Sequence, residues 1–160
     1  MGFLINPYNF VVVDNGATRG IFGGGNNGSY SNVMDYITIA STGNATDFGD
    51  LTVTRYALAG VNSNVRGVFG GGEDSGGASA VMDYITIATT GNATNFGNLT
   101  VARIRLAGVN SNVRGVFGSG FTNVYSLVID YITIATTGNA TAFGDLTLAR
   151  NGAAGVQNGL

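Results

Sequence analysis

The 160-residue sequence contains no cysteine, histidine, tryptophan or lysine, and only one proline. Without cysteine there is neither a disulfide framework nor a thiolate metal site, and the redox compartment is left open. Without histidine or lysine, the usual bases that activate a serine nucleophile are missing. Asp74-Ser75-Gly76-Gly77 has the wording of a serine-nucleophile loop, but nothing is there to take the serine proton. A phosphate loop of the Walker type is excluded because it requires lysine. Charge is scarce: 10% of residues are charged, against roughly 25% in an average soluble domain. All seven basic residues are arginine, and the formal net charge of −2 gives no electrostatic reason to bind nucleic acid or an anionic membrane. No apolar run approaches the roughly 20 residues of a membrane-spanning helix. No basic residue precedes Arg19, and no apolar stretch of signal-peptide length stands near the start. The expectation is therefore a cytoplasmic protein, or one that leaves the cell inside an assembled particle.

The chain is rich in glycine, with 27 residues, and in apolar residues, at 44%. The apolar residues fall in short β-branched and aromatic runs with glycine between them, as in β-rich proteins with many tight turns. One run occurs three times. Val33-Met34-Asp35-Tyr36-Ile37-Thr38-Ile39-Ala40 returns as Val81-Met82-Asp83-Tyr84-Ile85-Thr86-Ile87-Ala88 and as Val128-Ile129-Asp130-Tyr131-Ile132-Thr133-Ile134-Ala135, first 48 and then 47 residues on. Such a period marks a repeat architecture in which one unit cannot bury its apolar face alone. Units are expected at about 10–55, 56–103 and 104–149, after an N-terminal arm at 1–9.

In the middle unit, Leu58-Ala59-Gly60-Val61 ends in the turn-forming Asn62-Ser63-Asn64. Val65-Arg66-Gly67-Val68-Phe69 follows and is stopped by Gly70-Gly71-Gly72. A polar loop over 73–79 leads to a strand over 81–89. After the turn at Thr90-Gly91-Asn92-Ala93-Thr94, alternation of Leu99, Val101 and Arg103 with Thr100 and Ala102 predicts a last strand over 99–103. Four strands per unit, repeated, with no helical period, predict an all-β protein of three four-stranded β-propeller blades.

These residues resemble kelch repeats, in which a double glycine closes the second strand, a tyrosine sits in the third, an aromatic follows, and an arginine lies near the end. The glycines here are Gly23-Gly24, Gly70-Gly71 and the degenerate Gly118-Ser119-Gly120. The tyrosines are Tyr36, Tyr84 and Tyr131, the arginines Arg55, Arg103 and Arg150, and the aromatic is Phe48, Phe96 or Phe143 where kelch repeats usually carry tryptophan. The phrase Asp-Tyr-Ile-Thr-Ile-Ala-Thr-Thr-Gly-Asn-Ala-Thr is similar to kelch-like repeats in structural and tail-associated proteins of tailed bacteriophages, especially those of cyanobacteria. The resemblance implies a virion component.

Three blades leave two open faces that need cover. From Arg150 onward the sequence begins the repeat again and matches Arg103 through Asn112, so 150–160 is expected to be a spare first strand, exchanged between subunits. Phe10-Val11-Val12-Val13 stands where the first strand of the first blade belongs. The chain is thus expected to partner itself, as a dimer closing six blades or as a trimer.

Nine of the sixteen charged side chains are placed by the repeat: Asp35, Asp83 and Asp130; Arg19, Arg66 and Arg114; Arg55, Arg103 and Arg150. Such regularity predicts Asp–Arg contacts within each blade, since a buried charge needs a partner; a ring of arginines lining a channel is the rival reading. Asp47 and Asp50 are candidate Ca²⁺ ligands; otherwise no metal or cofactor is expected. Gly23-Gly24-Gly25-Asn26-Asn27-Gly28 fits a dinucleotide glycine pattern, but a β-rich segment follows where a helix is required. The loops after the glycines differ most between units. They carry Tyr30, Phe121 and Tyr125, which have the shape to stack on sugars or anchor a protein partner. The function expected is structural and adhesive rather than enzymatic, with a host glycan or another virion protein as partner. The alternatives are a cellular kelch-type interaction module and a glycan-processing enzyme, which needs a facing acid pair.

Overall fold

A computed structural model of the chain describes residues 18–158. Among them there is no helix; thirteen strands form four antiparallel sheets, none closed on itself. The first repeat unit contributes β1 (Arg19–Asn26), β2 (Tyr30–Thr38) and β3 (Thr46–Asp50), paired in that order. The second contributes β4 (Ala59–Asn62), β5 (Arg66–Gly70), a small hairpin of β6 (Glu73–Asp74) and β7 (Gly77–Ala78), then β8 (Val81–Thr86) and β9 (Thr94–Asn98). Its four-stranded sheet is an up-and-down meander, β4-β5-β8-β9. The third unit repeats it with β10 (Ala107–Asn110), β11 (Arg114–Gly118), β12 (Ser126–Thr133) and β13 (Thr141–Arg150). Two units therefore have four-stranded sheets, and the first shows three strands. The segment Phe10-Val11-Val12-Val13 and the arm at 1–9 lie outside the described residues.

The fourth strand departs from the sequence expectation. The strand occupies Thr94–Asn98, not 99–103. Two backbone bonds to the preceding unit set its start: Gly91 N donates to Phe48 O (2.7 Å) and Ala93 N to Asp50 O (2.8 Å). With the turn pinned there, Thr94 falls opposite Tyr84, and Phe96 points into the core. A bulge between Met82 and Asp83 then absorbs one residue of register. In the third unit the same strand does run on to Arg150.

The core lies between sheets. One buried cluster, Met34, Phe48, Leu51 and Ile85, joins the first unit to the second. A larger one, which includes Val61, Val68, Phe96, Phe117 and Ile132, joins the second to the third. Phenylalanines act as knobs in this packing. A Cβ on Gly23 would lie 3.1 Å from the Phe69 ring, and one on Gly70 would lie 2.9 Å from the Phe117 ring, so each glycine is the hole for the next unit's phenylalanine. Burial of a phenylalanine side chain stabilises by about 1.5–3 kcal/mol, and here the gain exists only when two units are together.

The glycine pair does a second job. Gly24 and Gly71 adopt φ of 70° and 69°, and Ser119 takes the same conformation at 65°. A Cβ on Gly24 would sit 2.6 Å from the Arg55 carbonyl oxygen, so glycine is required there on both counts. In the third unit the serine is accommodated, buried, with its hydroxyl unpaired among the described residues.

Candidate functional site

Antiparallel order divides the loops between two ends of the sheets. The turns near 63–65 and 87–93 lie at one end, and the loops after the glycines lie at the other, with the links between units. The second end carries the loop aromatics and the links between units.

At the close of the first unit, the Arg55 side chain crosses into the second. Its Nη2 donates to Asp83 Oδ2 at 2.7 Å, its Nη1 to the Gly71 carbonyl at 3.1 Å, and both residues are fully buried. Thr52 Oγ1 donates to the other oxygen of Asp83 at 2.5 Å. The arrangement recurs one unit later. Arg103 Nη2 donates to Asp130 Oδ2 at 2.7 Å and Nη1 to the Val128 carbonyl at 3.1 Å, while Thr100 donates to Asp130. The Nε of each arginine is buried without a partner among the described residues. Burial pushes both guanidinium pKa values down, and the facing aspartate acts against that shift. The aspartate–arginine pairs thus join consecutive units; the expectation of pairs within one unit is corrected. The links are buried, so these arginines line no open channel.

Arg19, Arg66 and Arg114 have another job. Each guanidinium stacks on the third-strand tyrosine of its own unit, 4.6 Å from the Tyr36 ring, 4.2 Å from Tyr84 and 4.4 Å from Tyr131. Two of them also reach onward: Arg19 donates to the Ile87 carbonyl (3.1 Å), and Arg66 to those of Ile134 (3.1 Å) and Ala135 (3.0 Å). The same tyrosines meet Phe48, Phe96 and Phe143 edge-on, at 6.0, 6.1 and 6.0 Å. At the first end of the sheets, beside the turns after the tyrosine strands, equivalent clefts open in the second and third units, one lined by Tyr84, Thr86, Asn92 and Thr94, the other by Tyr131, Thr133, Asn139 and Thr141.

The loop aromatics form two clusters, not one. Tyr30 lies against Tyr56 with ring centroids 4.9 Å apart. Both hydroxyls donate to Glu73, Tyr30 to Oε1 at 3.0 Å and Tyr56 to Oε2 at 2.7 Å. Hydrogen bonding to that carboxylate, followed by burial, raises both phenol pKa values. In the third unit Phe121 takes the place of Glu73 and bridges to Ile104 and Tyr125. Its ring meets Tyr125 at 5.8 Å, and Tyr125 and Val124 stand exposed. The structure thus brings Phe121 and Tyr125 together and seats Tyr30 with partners one unit on. Tyr56, Thr52 and Thr100 were not singled out from sequence. The threonines recur in step with the arginines, which was the available signal; Tyr56 falls at a position where the repeat diverges, to Ile104 and Asn151.

Asp47 and Asp50 lie on β3, where the Asp50 N–H donates to Asn92 Oδ1 (3.0 Å). Asn139 Oδ1 receives the Asn98 N–H in the same way (3.0 Å), so this asparagine position clamps one unit to the one before. Among the described residues no group of three or more His, Cys, Asp or Glu side chains converges as a metal would require, and no helix is long and apolar enough to cross a membrane. The chain matches no family model and no curated protein.

Proposed function

We propose that this chain is a structural and adhesive protein, a kelch-like component of a phage particle, whose stacked sheets are blades of a β-propeller. The blades serve as a rigid frame, and the loops beyond the glycines carry the contact surface. One contrast supports this reading. Frame residues repeat in kind and in geometry from unit to unit, whereas Tyr30-Tyr56-Glu73 and Phe121-Tyr125 hold equivalent places with unlike chemistry. A frame kept constant beneath loops that vary is how a scaffold presents a binding face. Edge-on tyrosine–phenylalanine pairs and the arginines at each unit's end support the kelch likeness. The partner is a host surface glycan or another virion protein; one end of the sheets offers aromatic faces for either.

Glycan-array or host-cell adsorption of the purified protein tests the reading. Tyr125→Ala and Phe121→Ala are expected to weaken binding by about tenfold each, the effect of losing one well-placed aromatic contact. Adsorption unchanged by both substitutions would remove this face from the function. A chain absent from purified particles would turn the reading toward a cellular interaction module.

A further inference from the structure

Consecutive units join through a fixed set of half-contacts, and the first and third units are each left with one half of the set. On the third unit, Arg150 holds the place of Arg55 and Arg103 but is exposed; its guanidinium donates to the Leu148 carbonyl at 3.4 Å, and neither salt bridge among the described residues includes it. Phe143 is 53% exposed, whereas Phe48 and Phe96 are 2% exposed under the following unit's turn. No described residue lies within 4 Å of a Cβ on Gly144, where Gly49 and Gly97 press on that turn. Among the described residues no phenylalanine ring fills the hole at Gly118, the counterpart of Gly23 and Gly70, and the nearest neighbour of a Cβ there is an Ile129 carbon at 3.8 Å.

The first unit has the opposite halves. Phe22 is 63% exposed, whereas Phe117 is wholly buried in its glycine hole. Asp35 holds the place of Asp83 and Asp130, opposite Phe22 on the sheet, yet neither salt bridge among the described residues includes it. Ile39 is 61% exposed where Ile134 is fully buried.

The segment after Arg150 shows which way the stack grows. Gly152 N donates to Arg105 O just as Arg105 N donates to Ala57 O (both 2.8 Å). Gly155 meets the Gly108 carbonyl as Gly108 meets that of Gly60. The stack therefore continues in the same sense past β13, and the surface it presents there fits what the first unit exposes.

We propose that a second copy of this chain docks head to tail, its first unit against the open face of the third. Arg150 then pairs with Asp35 of the second copy, Thr147 hydrogen-bonds the same carboxylate, and Phe22 of the second copy enters the hole at Gly118. The turn at Gly43-Asn44-Ala45 of the second copy covers Phe143 and Gly144, and Arg114 reaches the Ile39 carbonyl. Charge complementarity selects this occupant. A foreign apolar partner would leave Arg150 and Asp35 unpaired at the contact, at a cost a matching copy avoids. The contact is heterologous, so it must close or polymerise. On the propeller reading, two copies give six blades, within the four to eight of closed rings, whereas three copies give nine.

Sedimentation equilibrium of the 160-residue chain is the test, with a dimer expected. Arg150→Asp and Asp35→Arg should each weaken association by about a hundredfold or more. The two changes combined in one chain restore the pair across the contact and should restore the dimer. Phe22→Ala, on an exposed side chain, should weaken it without altering the circular dichroism of the subunit. A monomer for the unaltered chain, or single reversals that leave association intact, would overturn the docking. A trimer or polymer that still obeys the charge swap would uphold the docking and overturn the six-blade ring.

Discussion

Arg103→Met is expected to destabilise the fold by about 3–5 kcal/mol, a large part of the roughly 5–15 kcal/mol that holds a domain of ordinary stability. Methionine fills much of the volume, so packing is nearly kept. The loss comes from Asp130, which stays fully buried with its charge uncompensated except by Thr100. Arg55→Met should act similarly through Asp83. The pair itself is weak evidence of net stability, because two charges were taken out of water to make it. That distinction has an observable consequence. Arg103→Met combined with Asp130→Leu should recover most of the loss, and urea denaturation of the two single variants and the double variant gives the coupling directly. Additive losses would mean the two side chains do not act on each other.

Gly97→Ala should be about as damaging, at about 3–5 kcal/mol. A Cβ there would overlap the carbonyl oxygen of Gly138, and the residue has φ of 146°, where side chains are rarely tolerated. Relief by movement is blocked, because the Gly138 N–H donates to Phe96 O at 2.8 Å and holds that turn in place. Gly144→Ala is the internal control. Its φ of 152° is similar, but no described residue of the single subunit lies within 4 Å of the added carbon. Thermal melts at low protein concentration should therefore show Gly144→Ala far less affected than Gly97→Ala. Equal losses would mean backbone strain, not the approach of the next unit, makes glycine necessary.

The repeat period was legible because identical residues at one spacing need no knowledge of contacts. The all-β class followed from it, as did β4 and β5 to within a residue and the start of β8, which ends at Thr86, three residues short of the expected strand. The partners of the arginines were not legible. A period says that Arg55, Arg103 and Arg150 are equivalent; it does not say whether each reaches its own unit or the next, since both answers have the same spacing. The fourth strand was misplaced because Leu99 to Arg103 alternates well, whereas Thr94–Asn98 holds two asparagines and a glycine. Local propensity favoured the wrong segment, and the close approach of the neighbouring turn, which demands glycine at 97, decided the matter. Tyr30 stood out as a loop aromatic. Its partners, Tyr56 and Glu73, were hidden because they lie in another unit, 43 residues away for Glu73.

Native-state amide hydrogen exchange on the intact chain gives the most direct test that neighbouring sheets, rather than each sheet alone, hold this protein together. The Gly91, Ala93, Gly138 and Ala140 amides sit in turns yet donate to carbonyls of the preceding unit. They should exchange with the same opening free energy as amides in the β8–β9 ladder, and Arg103→Met should lower protection on both sides of the link together. Exchange at those four positions as fast as in a free surface turn, with the ladder still protected, would contradict it.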